Sequence, residues 1–453
     1  MRLPEHEERA FLRKKKHAEF TFDNMVKYFR ETIGGFPDVR TGSNTRYSIE
    51  DAALGAFSVF FTQSPSFLSF QTAMQKAKGK NNAQSLFSIT QVPCNNHIRD
   101  LMDEVSPTHV TPVFTYIFNG LENTGHLDPF RSYNDNLLLA FDGTQSFSSN
   151  KIHCENCSRK KHKNGTVTYS HSVVTPVIVA PGNNKVIALH PEFITPQDGH
   201  DKQDCENAAA KRWIGLFAPI YKTFGITVLG DDLYCKQPIC SLLIEQGLDF
   251  ILVCKPDSHI TLYQWLEEMN VMQAIETVVE KRWTGKTHEI DTYRFANQLP
   301  LRDGEDGMEV NWCELTTRLP DGTILYKNAF ATNFEISKSN VKQIVKDGRA
   351  RWKVENENNN VLKNRGYNLE HNFGHGKKHL ASLLVAFNLL AFLFHTVLEL
   401  MDEKYRLIRA ELPTRKTFFD DLRALTRYMY FKNWDAMLSF MMQGLEIEIP
   451  DTS

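Results

Sequence analysis

The apolar positions divide the 453-residue chain into stretches of different period. From residue 1 to about 134, apolar side chains recur every three or four positions, as in NMVKYFRETIGGF (24–36), IEDAALGAFSVFFTQ (49–63) and THVTPVFTYIFNGLEN (108–123). That spacing predicts amphipathic helices, separated by turn-rich pieces such as PDVRTGSNTR. Then the pattern changes. NLLLAFDGT (136–144) is a short apolar run that stops in Asp-Gly-Thr, and TYSHSVVTPVIVAP and KVIALHPEFI are β-rich and joined by the hairpin signal GNN. Strand-like ITVLGDDLY and DFILVCKP then alternate with helix-like CENAAAKRWIGLFAPIYKTFG, PICSLLIEQGL and LYQWLEEMN. Three strands followed by alternating strands and helices predict a mixed sheet covered by helices, an α/β layer architecture.

Residues 273–334 break the alternation. EKRWTGKTHEIDTYRFAN and EVNWCELTTRLPDGTILYKNAFATNFEI read as successive antiparallel strands, and helices resume from 335 to near the C-terminus. The expected organisation is a helical region over 1–134, the first part of the α/β core over 135–272, a β-strand insertion over 273–334, and the rest of the core with C-terminal helices over 335–453. One run, LASLLVAFNLLAFLFHTVLEL (380–400), is apolar enough for a membrane, but it carries Asn388, His395 and Glu399 and stands alone. It reads as a buried core helix, and no membrane partner is expected.

Composition changes the picture little. Hydrophobic residues make up 42% and charged residues 23%, with 31 Phe, enough to build a sizeable core. The formal net charge of -2 gives no argument for a nucleic-acid partner, which would have to come from local basic patches. The eight cysteines are scattered apart from Cys154 and Cys157, and MRLPEHEERAFLRKKKHAEF has no apolar signal core. A reduced, cytoplasmic protein with free thiols or a metal site is expected, rather than a disulfide framework.

Three carboxylates carry the candidate chemistry. Asp142 closes the first strand of the sheet, Asp231 closes the strand ITVLG, and Glu355 lies on the helix after the insertion. Ligands of open α/β sheets collect at the carboxyl ends of strands. Acids converging there repel one another, so a cation is needed to hold them, and oxygen ligands favour Mg²⁺ or Mn²⁺. Each residue also has an ordinary reading: an Asx turn for Asp142, a helix cap for Asp231 or Asp232, and an ion pair with Arg351 for Glu355. Helix geometry alone does not choose between Glu355 and Glu357.

Order and motifs together resemble the RNase H-like core of DDE transposases of bacterial insertion sequences. AFDGT is similar to their first-Asp motif and VLGDDLY to the second. RARWKVENE is similar to the Arg-Trp-x-Ile-Glu box of the group marked by a Tyr-x-x-Arg-x-x-x-Glu-x6-Lys signature, and QDGHDKQDCE and HNFGHGKKHL look like motifs of one subgroup. The chain departs from the signature in three places. Gly348 stands at the Tyr position, seven residues rather than six separate Glu355 from Lys363, and Asn359 stands where an aromatic is expected.

The resemblance implies a DNA transposase that cleaves transposon ends and joins them to target DNA. It chooses Glu355, because that residue directly follows RWKV, and gives Asp142, Asp231 and Glu355 as catalytic residues binding two Mg²⁺ (or Mn²⁺) ions. Arg351, Lys353, Lys363, Arg365, Lys377 and Lys378 are the expected contacts to double-stranded DNA, with a homodimer in the DNA complex and the N-terminal helices on the terminal repeats. Two alternatives stay open: a nuclease of the same core without strand transfer, and an inactive transposase-derived DNA-binding protein.

Two secondary features remain. HNFGHGKKHL suggests a glycine-opened, phosphate-contacting loop at a helix start, and Trp283 and Trp312 are candidates for stacking on bases, although a strand Trp is ordinarily core. IHCENCSRKKHKNGTVTYSH holds Cys154 and Cys157 with His153, His162 and His171 nearby. A structural zinc needs four ligands, and no regular spacing supplies the fourth, so zinc is not the favoured reading and no stoichiometric zinc is expected.

Overall fold

The structure is a computed structural model that describes residues 20–41, 45–196 and 204–448. The stretch RKKK (13–16), whose basic side chains the sequence offers as a solvated face, and most of QDGHDKQDCE lie outside the described residues. Ahead of the first strand lie helices α1 (Phe22–Ile33), α2 (Ile49–Phe61), α3 (Phe67–Met74), α4 (Ala77–Phe87), α5 (Asn95–Met102) and α6 (Thr111–Asn123). Strands β1 (Leu137–Ala140), β2 (Gly143–Ser149), β3 (Ser158–Lys161), β4 (Val167–Val174), β5 (Val177–Ala180), β6 (Asn183–Ala188) and β7 (Glu192–Ile194) follow. Next come α7 (Glu206–Tyr221), β8 (Ile226–Gly230), α8 (Gln237–Glu245), β9 (Asp249–Val253) and α9 (Ile260–Val271). The β-rich stretch holds β10 (Glu276–Trp283), β11 (His288–Pro300), β12 (Glu309–Arg318) and β13 (Ile324–Thr332). The chain then runs through α10 (Val341–Arg349), a π-helical segment Val354–Asn359, α11 (Asn360–Asn364), α12 (Leu380–Met401), α13 (Glu403–Glu411), α14 (Arg415–Tyr428) and α15 (Trp434–Gly444).

The central sheet has nine strands in the order β10-β11-β12-β13-β9-β8-β1-β5-β6. β1 and β8 are buried at every position, as the continuous apolar runs predict for strands covered on both faces. β1 is parallel to β8 and β8 to β9, whereas β5 runs antiparallel to β1 and β6 antiparallel to β5. Read in chain order, the five strands β1, β5, β6, β8 and β9 are arranged 3-2-1-4-5, the mixed sheet of an RNase H-like core. The insertion is not a separate layer. β13 pairs antiparallel with β9, so β10–β13 extend the same sheet.

Two strand expectations need correcting, since KVIALHPEFI spans β6 and β7, which lie in different sheets. TYSHSVVTPVIVAP is two strands in two sheets: the chain leaves β4 at Thr175 and enters β5 after Pro176, whose missing N–H ends the ladder. β4 belongs to a small second sheet, β2-β4-β3 with β7 on β4, which grows out between the first and second core strands. The GNN turn does close a hairpin, β5–β6, with Gly182 at φ 79°.

The N-terminal helices share one hydrophobic core with the sheet and the C-terminal helices. Its axis is α12, whose Phe387 and Phe394 meet Phe29 and Phe57 at ring-centroid distances of 5.8 and 5.0 Å. The helix is long and apolar enough to span a membrane by composition, yet it is almost wholly buried here. Asn388, His395 and Glu399 each find a partner inside the protein, although the Asn388 side-chain oxygen has none among the described residues. Asn388 donates to the Tyr367 carbonyl at 2.8 Å, His395 lies 2.6 Å from the Tyr367 hydroxyl, and Glu399 pairs with Arg415 at 3.1 Å and with Lys185. That is the pattern of a core helix, since each of these groups would be costly without its partner.

Candidate active site

Asp142 follows β1 and Asp231 follows β8, and the parallel register Ala140↔Leu229 brings the two positions level when continued by two residues. Two carboxylates therefore stand side by side at the carboxyl ends of adjacent parallel strands. Neither ordinary reading accounts for both. The Asp142 side chain meets Asn359 and Arg351 and makes no turn with Gly143, and the cap position of α8 is Lys236, not an aspartate. Asp231 Oδ1 does accept from Leu233 N–H at 2.8 Å, an Asx turn that aims the carboxylate. Asp232 is turned elsewhere, accepting from Lys255 N–H at 2.7 Å and lying 3.3 Å from His259.

A third acid, missed in the sequence, packs between these motifs. Glu206, in the first turn of α7, accepts from Gly143 N–H at 3.0 Å and from the Tyr234 hydroxyl at 2.6 Å. It thus links the strand end after Asp142 to the turn after Asp231. A Cβ at position 143 would lie 2.2 Å from Glu206 Oε2, so a side chain there would have to push the Glu206 carboxylate off its present bonds. No spacing signal connects position 206 to position 142, although Glu206 closes the quoted stretch QDGHDKQDCE.

The late helix reaches Asp142 at two points. Arg351 lies 4.0 Å from Asp142 Oδ1, and Asn359 Nδ2 donates to Oδ2 at 2.8 Å. The Asn359 amide is held in that orientation because its oxygen accepts from Thr175 and from Asn358, each at 2.9 Å. Glu355 falls midway, four residues after Arg351 and four before Asn359, on a spacing that keeps a helix face. Its side chain is exposed and has no hydrogen bond or ion pair to Asp142 or Asp231 among the described residues. The charge of Glu357 is felt instead by Lys185 on β6.

Each departure from the signature has a structural counterpart. The π-helical segment Val354–Asn359 takes up one residue more than an α-turn, which matches the seven residues between Glu355 and Lys363. Asn359 is buried, as an aromatic would be, but uses its amide on Asp142. At Gly348 a Cβ would come within 2.8 Å of Phe330 on β13 and 2.9 Å of Ile251 on β9, which leaves no room for a tyrosine.

Burial pushes the Asp142 carboxyl up to about 6; the Glu206 charge adds to the rise, Arg351 and the Asn359 bond oppose it, and Asp231 raises it further. A carboxyl raised in the folded state contributes stability below its unfolded value, and that contribution is lost as pH rises through the folded value. Asp142→Asn is therefore expected to match the wild type near pH 4 and to become more stable above pH 6, by up to about 3 kcal/mol. Thermal melts of both proteins across that range check the sign. A gap that does not widen with pH would mean that Arg351 and Asn359 already neutralise the charge.

The six expected DNA contacts are not equivalent. Lys353 is only 4% exposed, with its ammonium 4.8 Å from the Trp352 ring centre, and Arg351 faces Asp142. Lys363 pairs with Glu370 at 2.9 Å and Lys378 with Glu104 at 2.7 Å. Arg365 and Lys377 are exposed and have no ion pair among the described residues. The helix start expected to bind phosphate is already filled: Asp103 accepts from the N–H groups of Lys377, Lys378, His379 and Leu380 at 2.8–3.2 Å. Burial opposes but does not outweigh these four bonds, which hold the Asp103 carboxyl below its usual range. Trp312 is buried in the core and Trp283 is 60% exposed at the end of β10.

The cysteine segment also differs from its reading. Cys154, Cys157 and His171 gather with His375, from the loop ahead of α12, with their ligand atoms all within 4.8 Å of one another. His162 is elsewhere, 2.8 Å from the Thr168 hydroxyl.

No protein-family model matches the sequence, and no curated protein matches it significantly. Among solved structures the chain is similar to the piggyBac transposase seen by cryo-electron microscopy in a synaptic complex with hairpin DNA. The identity is 12% and the TM-score 0.39, over 97% of this chain and 83% of that one. So distant a likeness carries no argument about chemistry, and the case for a function rests on the carboxylates and their neighbours.

Proposed function

We propose that this protein is a DDE-type DNA transposase, which cuts DNA strands at the ends of a mobile element and joins them to target DNA with the help of divalent cations. One observation carries the reading. Asp142 and Asp231 lie level at the ends of adjacent parallel strands, and the residues four before and four after Glu355 both reach Asp142. Asp142, Asp231 and Glu355 are the catalytic residues in this reading. Glu206 is a positioning residue that ties the two aspartate turns together through Gly143 and Tyr234.

The donors are all oxygens, and burial, with the charges of Glu206 and Asp231 beside it, raises Asp142, so the set suits two Mg²⁺ or Mn²⁺ ions. Such ions, when bound, supply Lewis acidity at the attacking and leaving oxygens of a phosphodiester. The chain's own part is to aim the carboxylates: the Asx turn fixes Asp231, the Asn359 amide fixes Asp142, and the exposed Glu355 is free to swing toward them. Arg351, beside Asp142, is placed to meet the phosphate once cations neutralise the acids. A homodimer on DNA and a cytoplasmic location belong to the same reading.

The test is incubation of the purified protein with DNA carrying the flanking ends of its own element, with Mg²⁺ or Mn²⁺, mapping every cut. Cleavage leaving a 3′-OH, followed by joined products on a plasmid target, is the expected result. Cleavage without joining favours the nuclease alternative, and binding without cleavage favours an inactive descendant.

DNA binding is expected to weaken steeply with salt, because each neutralised phosphate releases condensed counterions. Arg365→Ala and Lys377→Ala should each lower the slope of log affinity against log salt by about 1. Lys378→Ala should change it less, since Glu104 already neutralises that ammonium. Equal slopes for all three variants would remove this surface from the interface.

A further inference from the structure

We propose that Cys154, Cys157, His171 and His375 form a structural zinc site, which pins the small second sheet to the loop ahead of α12. The proposal goes beyond the active site and stands independently of it. Sequence spacing argued against zinc for want of a fourth ligand. The fold supplies one, because His375 lies against Cys157 although 218 positions separate them in the chain.

Four of the six ligand-atom separations fit the metal, and the other two lie within 4.8 Å. With Zn–S of about 2.3 Å and Zn–N of about 2.0 Å, a tetrahedral ion sets its two sulfurs about 3.8 Å apart and each sulfur about 3.5 Å from each nitrogen. The Cys154 and Cys157 sulfurs are 3.8 Å apart. His171 Nε2 lies 3.5 Å from Cys154 Sγ and 3.4 Å from Cys157 Sγ, and His375 Nε2 lies 3.5 Å from Cys157 Sγ. The sulfur–sulfur separation is too long for a disulfide.

Local structure supports a built site. Cys157 N–H donates to the Cys154 carbonyl at 3.3 Å, and Cys154 N–H points at Cys157 Sγ at 3.4 Å, so the Cys-x-x-Cys turn folds its own backbone toward a sulfur. His171 comes from β4, and its side chain is buried. The His375 ring packs at a tilt against Phe147, with centroids 4.5 Å apart, and its Nδ1 has no hydrogen-bond partner among the described residues. Hydrogen bonding therefore gives no reason to bury that ring with Nε2 on a sulfur. On binding, the two thiols give up their protons and a closed four-ligand site results, with no open position for catalysis.

The site joins three segments, one of them far from the other two in the chain. The Cys turn lies in the exposed loop between β2 and β3, β4 forms the middle of the small sheet, and the loop at 371–379 leads into α12. Asn156, inside the Cys turn, also donates to the Lys378 carbonyl, so the same two loops meet twice. Because β4 ends at Thr175, which bonds both the Asp142 carbonyl and Asn359, the zinc steadies the far side of the candidate active site.

The test uses the full chain, purified without chelator from zinc-replete medium. Elemental analysis should give about one zinc per chain, released when a mercurial reagent titrates the thiols. Replacement by Co²⁺ should give tetrahedral ligand-field bands with thiolate charge transfer. His375→Gln and the double variant Cys154→Ser Cys157→Ser should each lose the metal. Cys254→Ser, in the separate buried group of Cys235, Cys254 and His259, should keep it. Zinc well below stoichiometric after reconstitution, or zinc that survives His375→Gln and leaves with Cys254→Ser, overturns the proposal. The cobalt spectrum of the wild type decides the matter even where a variant fails to fold.

Discussion

Asp142→Asn, Asp231→Asn and Glu355→Gln are each expected to abolish Mg²⁺-dependent strand cleavage, by roughly 10³-fold or more, while leaving the fold and DNA binding nearly intact. The size follows from losing an oxygen ligand of a metal pair that supplies several kcal/mol of transition-state charge stabilisation. The three substitutions keep shape and remove charge, so a collapse of the fold is not expected. Asp142→Asn should even stabilise the protein at neutral pH, because burial and Glu206 make that carboxylate costly. Glu357→Gln is the control. Its charge acts on Lys185, away from the aspartates, and it should cleave at near wild-type rate. If Glu357→Gln is dead and Glu355→Gln active, the helix presents the other carboxylate and the assignment at that position fails. A Glu206→Gln variant should lose less than the three, since it acts on the site indirectly, through the Gly143 and Tyr234 bonds and through its charge beside Asp142.

Gly348→Tyr, which restores the signature residue, is expected to destabilise the protein by about 3 kcal/mol or more. Position 348 is inside α10 where it crosses the sheet, and even a methyl group there would press on Phe330 and Ile251, both fully buried. An exposed helix glycine gains about 1 kcal/mol on replacement by alanine, but here the overlap outweighs that gain. Thermal or denaturant unfolding of Gly348→Ala and Gly348→Tyr should therefore show loss in both, larger for tyrosine. A stable Gly348→Tyr would mean that α10 can lift from the sheet, and the close helix-to-sheet packing would not be needed to bring Arg351 to Asp142.

The alternation of apolar residues by itself determined the helices and central-sheet strands it covered and their order, but not β2, β3 and β7 of the small sheet. Buried strands read as continuous apolar runs and helices as three- and four-residue spacing because burial on one or two faces imposes those periods. For the same reason Asp142 and Asp231 were legible, each being the first acid after a buried strand. Other features depended on pairings that no local period encodes. Glu206 reaches Gly143 across 63 positions and His375 reaches Cys157 across 218, distances at which nothing in the intervening sequence records the contact. The split of TYSHSVVTPVIVAP between two sheets, and the joining of the insertion to the central sheet at β9, are likewise choices of partner and not of propensity. The helix start ahead of α12 looked free for phosphate until Asp103, from α5's end, was seen to fill it. Local sequence sets which backbone states are cheap, whereas a charged or metal-binding site is decided by which distant side chains the packed core brings within a few ångströms.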